Sequence, residues 1–170
     1  MNITNIVVKS SLNVDLNMRY IMMHIKDAKY DPSKFSAICW KHRSIQSSCL
    51  LFRNGKILLQ GAKTYQQARL RMRRYARIIQ RLGYNVALSA IEIVTITGLS
   101  DIGFPVDLNV MCSALPNASY EPELFNAMVY KKDNVSYSVF SSGKIVVAGV
   151  RHMSLINDVM EVLLELSLTI

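Results

Sequence analysis

The sequence predicts an α+β fold in which two copies of one unit share a sheet, with a long helix from each copy on one face and the other face left open. Three observations predict it. First, the chain repeats itself. Tyr30-Asp31-Pro32-Ser33-Lys34-Phe35 returns as Tyr120-Glu121-Pro122-Glu123-Leu124-Phe125 at an offset of 90 residues, and Phe52-Arg53-Asn54-Gly55-Lys56-Ile57 returns as Phe140-Ser141-Ser142-Gly143-Lys144-Ile145 at an offset of 88. Second, short apolar and β-branched runs broken by turn residues follow one another within each copy. Third, each copy closes on one amphipathic helix. Two copies are too few for a solenoid. The expectation is therefore a pseudo-twofold pair, residues 1–85 and 86–170, joined near Gly83 to Ala90.

Each element has its own signal. Asn5 to Lys9 is a short β-branched run, and at an offset of 90 Asn5-Ile6-Val7 falls on Thr95-Ile96-Thr97. Leu16 to Lys26 has helical spacing. Phe35 to Arg43, Ser47 to Phe52 and Lys56 to Gln60 read as strands, with Asn54-Gly55 as the turn before the last. From Thr64 to Leu82 the apolar residues Ala68, Met72, Tyr75, Ile79 and Leu82 recur at spacings of 4, 3, 4 and 3, and Gly83 supplies the stop. The second copy ends in a like helix from Met153 to Leu168. The fall in offset places a two-residue shortening between Asn126 and Val139, in a hairpin loop where length changes cost little. In the strand after each turn, alternation sends Ile57, Leu59, Ile145 and Val147 toward the helices and leaves Lys56, Leu58, Gln60, Lys144, Val146 and Ala148 on the open face.

Composition removes several classes. With 51% hydrophobic and 19% charged residues, the 170-residue chain is neither disordered nor collagen-like nor of low complexity. No run approaches the ~18 uncharged apolar residues of a spanning helix, and Met1 to Ser10 lacks the marks of a secretory signal, so a soluble intracellular domain is expected. Cys39, Cys49 and Cys112 are odd in number and too far apart for paired zinc knuckles; three reduced core thiols are the expectation. His24, His42 and His152 stand isolated, and the Gly-Lys turns lack the frame of a phosphate-binding loop. No catalytic residue, metal or cofactor is expected. The charge is divided: residues 1–85 hold 16 Lys and Arg against 3 Asp and Glu, whereas residues 86–170 hold 4 against 9. A basic half next to an acidic one points to an acidic partner, nucleic acid or protein.

On these residues the chain, from about residue 3 to 168, resembles the TATA-binding protein family. The resemblance rests on two direct repeats, each with a Tyr-x-Pro-x-x-Phe block, a Phe-x-x-Gly-Lys turn, a following glycine (Gly61, Gly149) and a terminal helix. Tyr75 to Gly83 and Tyr120 to Phe125 are the most specific stretches. It implies a curved, ten-stranded antiparallel saddle whose concave underside lies on the minor groove of double-stranded DNA. It also implies a nuclear transcription initiation factor that bends promoter DNA and nucleates a preinitiation complex. By position, Phe35, Phe52, Phe125 and Phe140 would intercalate, and Lys34, Lys41, Lys56, Lys131 and Lys144 would face phosphates or the groove edge. Asn5, Val7, Leu58, Gln60, Thr95, Thr97, Val146 and Ala148 would form the groove floor. Glu121, Glu123 and Leu124 match the loop that holds transcription factor IIB. A factor IIA surface would lie on the outer strands of the first repeat, where Ser44 and Gln46 replace a Pro-Arg type of loop.

The resemblance puts Arg69, Arg73, Arg74, Arg77 and Arg81, with Arg71 beside them, on the convex side, where they would meet acidic regulatory proteins. Five of the eight floor positions depart from the family's near-symmetric Asn, Val, Val, Thr set, so an altered or relaxed sequence preference is expected. The alternative is an interaction scaffold or decoy that keeps the factor IIB loop and binds DNA weakly. An apolar concave face also leaves open a homodimer in the absence of DNA.

Overall fold

A computed structural model describes residues 1–168. Two compact units are distinguishable: Asn5–Val94, and Thr95 onward together with Met1–Thr4. The first holds most of β1 (Asn2–Ser11), then α1 (Met18–His24), β2 (Ala28–Lys29), β3 (Ala37–Trp40), β4 (Ser48–Phe52), β5 (Lys56–Ala62) and α2 (Tyr65–Arg81). Its strands run in the order β2-β3-β4-β5-β1, and each neighbouring pair is antiparallel. The second unit repeats the plan with β6 (Glu92–Asp101), α3 (Leu108–Ala114), β7 (Ala118–Ser119), β8 (Met128–Lys132), β9 (Val135–Val139) and β10 (Lys144–Val150). A 3-10 turn (Met153–Leu155) and α4 (Ile156–Leu168) complete it. Its order is β6-β10-β9-β8-β7, again antiparallel.

In each unit the helices bury one face of the sheet. Ile6, Val8, Ile57, Leu59, Met72, Tyr75 and Ile79 form the core of the first, with Trp40 edge-on to Tyr75 at 4.8 Å between ring centres. Ile96, Tyr137, Ile145, Val147, Val159 and Leu166 do the same in the second. The expected inward set of Ile57, Leu59, Ile145 and Val147 is buried throughout. Helix α2 begins where the sequence places it: the Thr64 side chain accepts from the Gln67 N–H at 3.1 Å, and Gly83 adopts φ +97° just past the end.

The turns between β4 and β5 and between β9 and β10 need glycine. Gly55 and Gly143 have φ of +77° and +85°, and a Cβ at either would collide with a backbone carbonyl, of Val14 and of Phe104 respectively. The two-residue shortening lies in a hairpin loop as expected. Strands β8 and β9 meet through Asp133-Asn134, both at positive φ in the manner of a type I′ turn, whereas β3 and β4 are joined by the wider Lys41–Ser47 loop.

Four expectations need correction. Helix α1 is shorter than Leu16 to Lys26, because Asn17 caps it and Ile25 is already extended at ψ 148°. Strand β3 does not start at Phe35, whose N–H closes a turn onto the Asp31 carbonyl at 2.9 Å. The element-by-element reading misses the two-residue edge strands β2 and β7, which carry no periodicity of their own, although the ten strands that the resemblance implies include them. Of the three thiols only Cys49 is a core residue; Cys39 is exposed on the open side of β3 and Cys112 is half-buried.

Candidate nucleic-acid interface

Alternation along the strands fixes what each unit presents on its uncovered face. In the first unit this face carries Asn5 and Val7 from β1, Leu50 and Phe52 from β4, and Lys56, Leu58 and Gln60 from β5. Leu58 lies opposite Leu50, and Gln60 opposite Ser48. In the second it carries Thr95, Thr97 and Leu99 from β6, Ser136 and Ser138 from β9, and Lys144, Val146 and Ala148 from β10. There Val146 lies opposite Leu99 and Ser138. All eight residues expected on the floor are on this face, four in each unit. Sequence reasoning missed Cys39, Leu50, Val129, Ser138 and Leu99 beside them, although counting back in twos from Phe52 and Phe140 reaches Leu50 and Ser138.

A phenylalanine pair stands at the end of this face in each unit. Phe35 and Phe52 meet edge to face at 6.1 Å and 68°, and Phe125 and Phe140 at 6.2 Å and 70°. Phe35 is 44% exposed and Phe125 47%, large values for phenylalanine, and both are held by the same turn, their N–H groups donating to Asp31 and Glu121 carbonyls at 2.9 Å. The second member of each pair is anchored through the glycine turn, where Gly55 donates to the Phe52 carbonyl at 3.0 Å and Gly143 to that of Phe140 at 2.9 Å.

The polar groups divide by how tied down they are. The Asn5 Oδ1 accepts from the Gly61 N–H at 2.7 Å, so the amide presents only its NH2 end, the donor end, to the open face. Lys41, Lys56, Lys131 and Lys144 are exposed. Lys34 instead pairs with Asp31 at 3.5 Å, and Asp31 is held below the usual carboxylate range chiefly by the Ser33 hydroxyl at 2.6 Å. Glu121, Glu123 and Leu124 lie on one exposed turn, with Leu124 81% accessible.

Five of the six α2 arginines are exposed. Arg71 is the exception: it donates to Gln46 O, Ser47 Oγ and Gly61 O, so it staples the β3–β4 loop and does not join the outward stripe. Arg69, Arg73 and Arg77 form one wall of a groove of about 700 Å³ whose other wall includes Val86 and Leu88. Among the described residues no His, Cys, Asp and Glu cluster could hold a metal, and no helix is long and apolar enough to cross a membrane.

The family model described as "Transcription factor TFIID (or TATA-binding protein, TBP)" matches residues 1–82 and again 90–166, one match for each repeat. The chain belongs to the TATA-binding protein family. Members of this family are non-enzymatic DNA-binding transcription factors. Curated relatives include the TATA-box-binding protein of Candida albicans, 36% identical over 92% of this chain and 67% of that protein. That of Emericella nidulans is 38% identical over 86% and 56%, and the TATA box-binding protein-like 2 of Mus musculus 34% identical over 92% and 46%. The chain thus spans about half to two thirds of the length of the relatives it matches. The solved structure of Methanococcus jannaschii TBP has a TM-score of 0.89 and covers 99% of this chain and 98% of its own, at 24% identity. The fold of this chain is therefore the TATA-binding protein fold, in the α+β class that the sequence predicts.

Proposed function

We propose that the protein is a nuclear transcription initiation factor that lays the open faces of its two repeats, residues 1–85 and 86–170, on the minor groove. In this reading it bends the duplex by inserting Phe35, Phe52, Phe125 and Phe140 and nucleates a preinitiation complex. The observation that carries this reading is the pair of half-exposed phenylalanines at the same place in both units. The minor groove offers acceptors and few distinguishing marks, so a protein that uses it relies on apolar fit, wedges between base steps and the ease of deforming the duplex. Val7, Leu58, Val146 and Ala148 supply the apolar fit. The Asn5 NH2 supplies a donor suited to adenine N3 and thymine O2. Lys41, Lys56, Lys131 and Lys144 supply phosphate contacts, with Lys34 contributing once Asp31 releases it.

The relatives are named for the TATA box. Five changed floor positions motivate a relaxed or shifted preference here, since Thr95 and Thr97 place short hydroxyls where the first unit has an amide and a valine. The turn bearing Glu121, Glu123 and Leu124 is assigned to a factor IIB-like protein. The α2 groove, cationic on one wall and apolar on the other, is assigned to acidic regulatory segments.

Fluorescence energy transfer across end-labelled duplexes tests the wedge assignment. Wild-type protein brings the ends together, and Phe125→Ala with Phe140→Ala abolishes the change while factor IIB binding persists. Undiminished bending by that double variant would exclude insertion by these side chains. Absence of bending on every duplex by the wild type, with factor IIB still bound, would instead identify the scaffold or decoy that the altered floor allows.

A further inference from the structure

Helices α2 and α4 are built on one lattice of buried positions. Met72, Tyr75, Ala76 and Ile79 of α2 and Val159, Val162, Leu163 and Leu166 of α4 are all buried, and the two sets coincide at an offset of 87 residues. At that same offset the arginine stripe Arg69, Arg73, Arg77, Arg81 falls on Ile156, Met160, Leu164 and Leu168. Equivalent outward positions therefore show water a row of cations in one unit and a row of aliphatic side chains in the other. Met160 is 36% exposed and Leu164 60%, and Met153 just upstream is 43%. At its N-terminal end the row adjoins the core-facing stripe, Ile156 being half-buried and the Met160 sulfur meeting the Met1 ammonium at 3.0 Å, so Leu164 and Leu168 are its open part.

We propose that the outward face of α4 is a docking surface for an amphipathic helix of a partner protein, one whose apolar stripe is bordered by lysine or arginine. The i, i+4, i+8 spacing of Met160, Leu164 and Leu168 is that of helix-to-helix anchors, and methionine and leucine repack readily around a partner. Charge selects the partner's border. Asp158, Glu161 and Glu165 are the charged residues of α4, which has no Lys or Arg. On a 3.6-residue pitch Glu161 and Glu165 follow one flank of the aliphatic row. Glu165 pairs with Lys132 at 3.0 Å, so Glu161 is the flank acid that the partner's cations would meet. A second copy fits less well. An antiparallel twofold pair of α4 helices brings both acidic flanks to the same side, where they repel.

The test uses two labelled helical peptides of about 18 residues, each with a leucine stripe, one bordered by lysine and the other by glutamate. Fluorescence anisotropy is expected to show binding of the lysine-bordered peptide alone. Leu164→Asp weakens it by roughly tenfold or more, with an unchanged circular-dichroism melt because the side chain is exposed. Met160→Gln, a milder change, weakens it in the same direction. Glu161→Lys shifts the preference toward the glutamate-bordered peptide. Equal binding of both peptides, or indifference to Leu164→Asp and Met160→Gln, overturns the proposal. So does sedimentation showing that the wild type self-associates through Leu164. Duplex bending by Leu164→Asp remains that of the wild type, so this surface and the proposed DNA face fail or stand separately.

Discussion

Tyr75 ties three segments of the first unit together through one hydroxyl. It donates to the Ser47 carbonyl at 2.7 Å, accepts from the His42 N–H at 3.1 Å, and its ring backs Trp40. Burial pushes its pKa up to about 12, and that of Tyr137 in the second unit likewise to about 12. Unfolded tyrosine ionises near pH 10, so between about pH 10 and 12 the unfolded chain releases these protons first and the native state loses stability as pH rises. The melting temperature is expected to be flat up to about pH 9 and to fall across that window. Tyr75→Phe removes part of the alkaline fall. At pH 7 it costs about 1–3 kcal/mol in urea unfolding, because the Ser47 carbonyl is left buried without its donor; an unchanged midpoint would mean that another group takes that place. Cysteine gives a second prediction at this scale. Cys39 is exposed on the open face of β3, whereas burial raises the pKa of the Cys49 thiol. A thiol reagent should label Cys39 in the native protein and spare Cys49 until unfolding, and a bound duplex should slow the Cys39 reaction. Labelling of Cys39 at the same rate in a saturated complex would place DNA away from this strand.

At the scale of elements, the glycine turns anchor the second phenylalanine of each pair, Phe52 and Phe140. Gly143 combines φ +85° with a Cβ position blocked by the Phe104 carbonyl, whereas Gly103, at φ +94°, has open space around it. Gly143→Ala is therefore expected to cost more than the roughly 1 kcal/mol of backbone strain that Gly103→Ala incurs, since backbone must also move. Chemical denaturation of the two variants measures the difference, and equal midpoints would show that the turn relaxes freely. Turns and helices of this kind were legible in the sequence because their signals are local. The glycine turn at Gly55 and the spacing from Ala68 to Ile79 each act within a few residues, and the repeat supplies both again at Gly143 and in α4, whereas the Thr64 cap has no counterpart because His152 makes no capping bond. The misses came from pairing across the sheet. Strands β2 and β7 are two residues long and exist because β3 and β8 offer them an edge. The engagement of Asn5 by Gly61 lies 56 residues away in the chain, and Arg71 is the one α2 arginine turned onto a loop, by bonds that no helical periodicity announces.

For the whole molecule the question is which of its cations the DNA counts. The net charge of +8 hides an uneven distribution: the α2 arginines cover one helix, while Lys41, Lys56, Lys131 and Lys144 are scattered beside the open faces. Helix α2 packs against the covered side of its own sheet through Ala68, Met72, Tyr75 and Ile79, so its exposed arginines lie on the side away from Leu58 and Gln60. A protein that neutralises Z phosphates loses affinity with log salt at a slope of about 0.9 Z, and each phosphate-contacting lysine removed lowers that slope by about one. Lys56→Gln and Lys144→Gln are thus expected each to flatten the salt dependence of duplex binding by about one. Lys34→Gln should do less, because Lys34 starts from an ion pair with Asp31 that DNA must displace. Arg73→Gln and Arg77→Gln should slow association at low salt through the long-range field while leaving the slope almost unchanged. Anisotropy titrations at four or more salt concentrations read all of these together. A slope that falls with the arginines and not with the lysines would mean that DNA lies along α2 and that the open faces serve another partner.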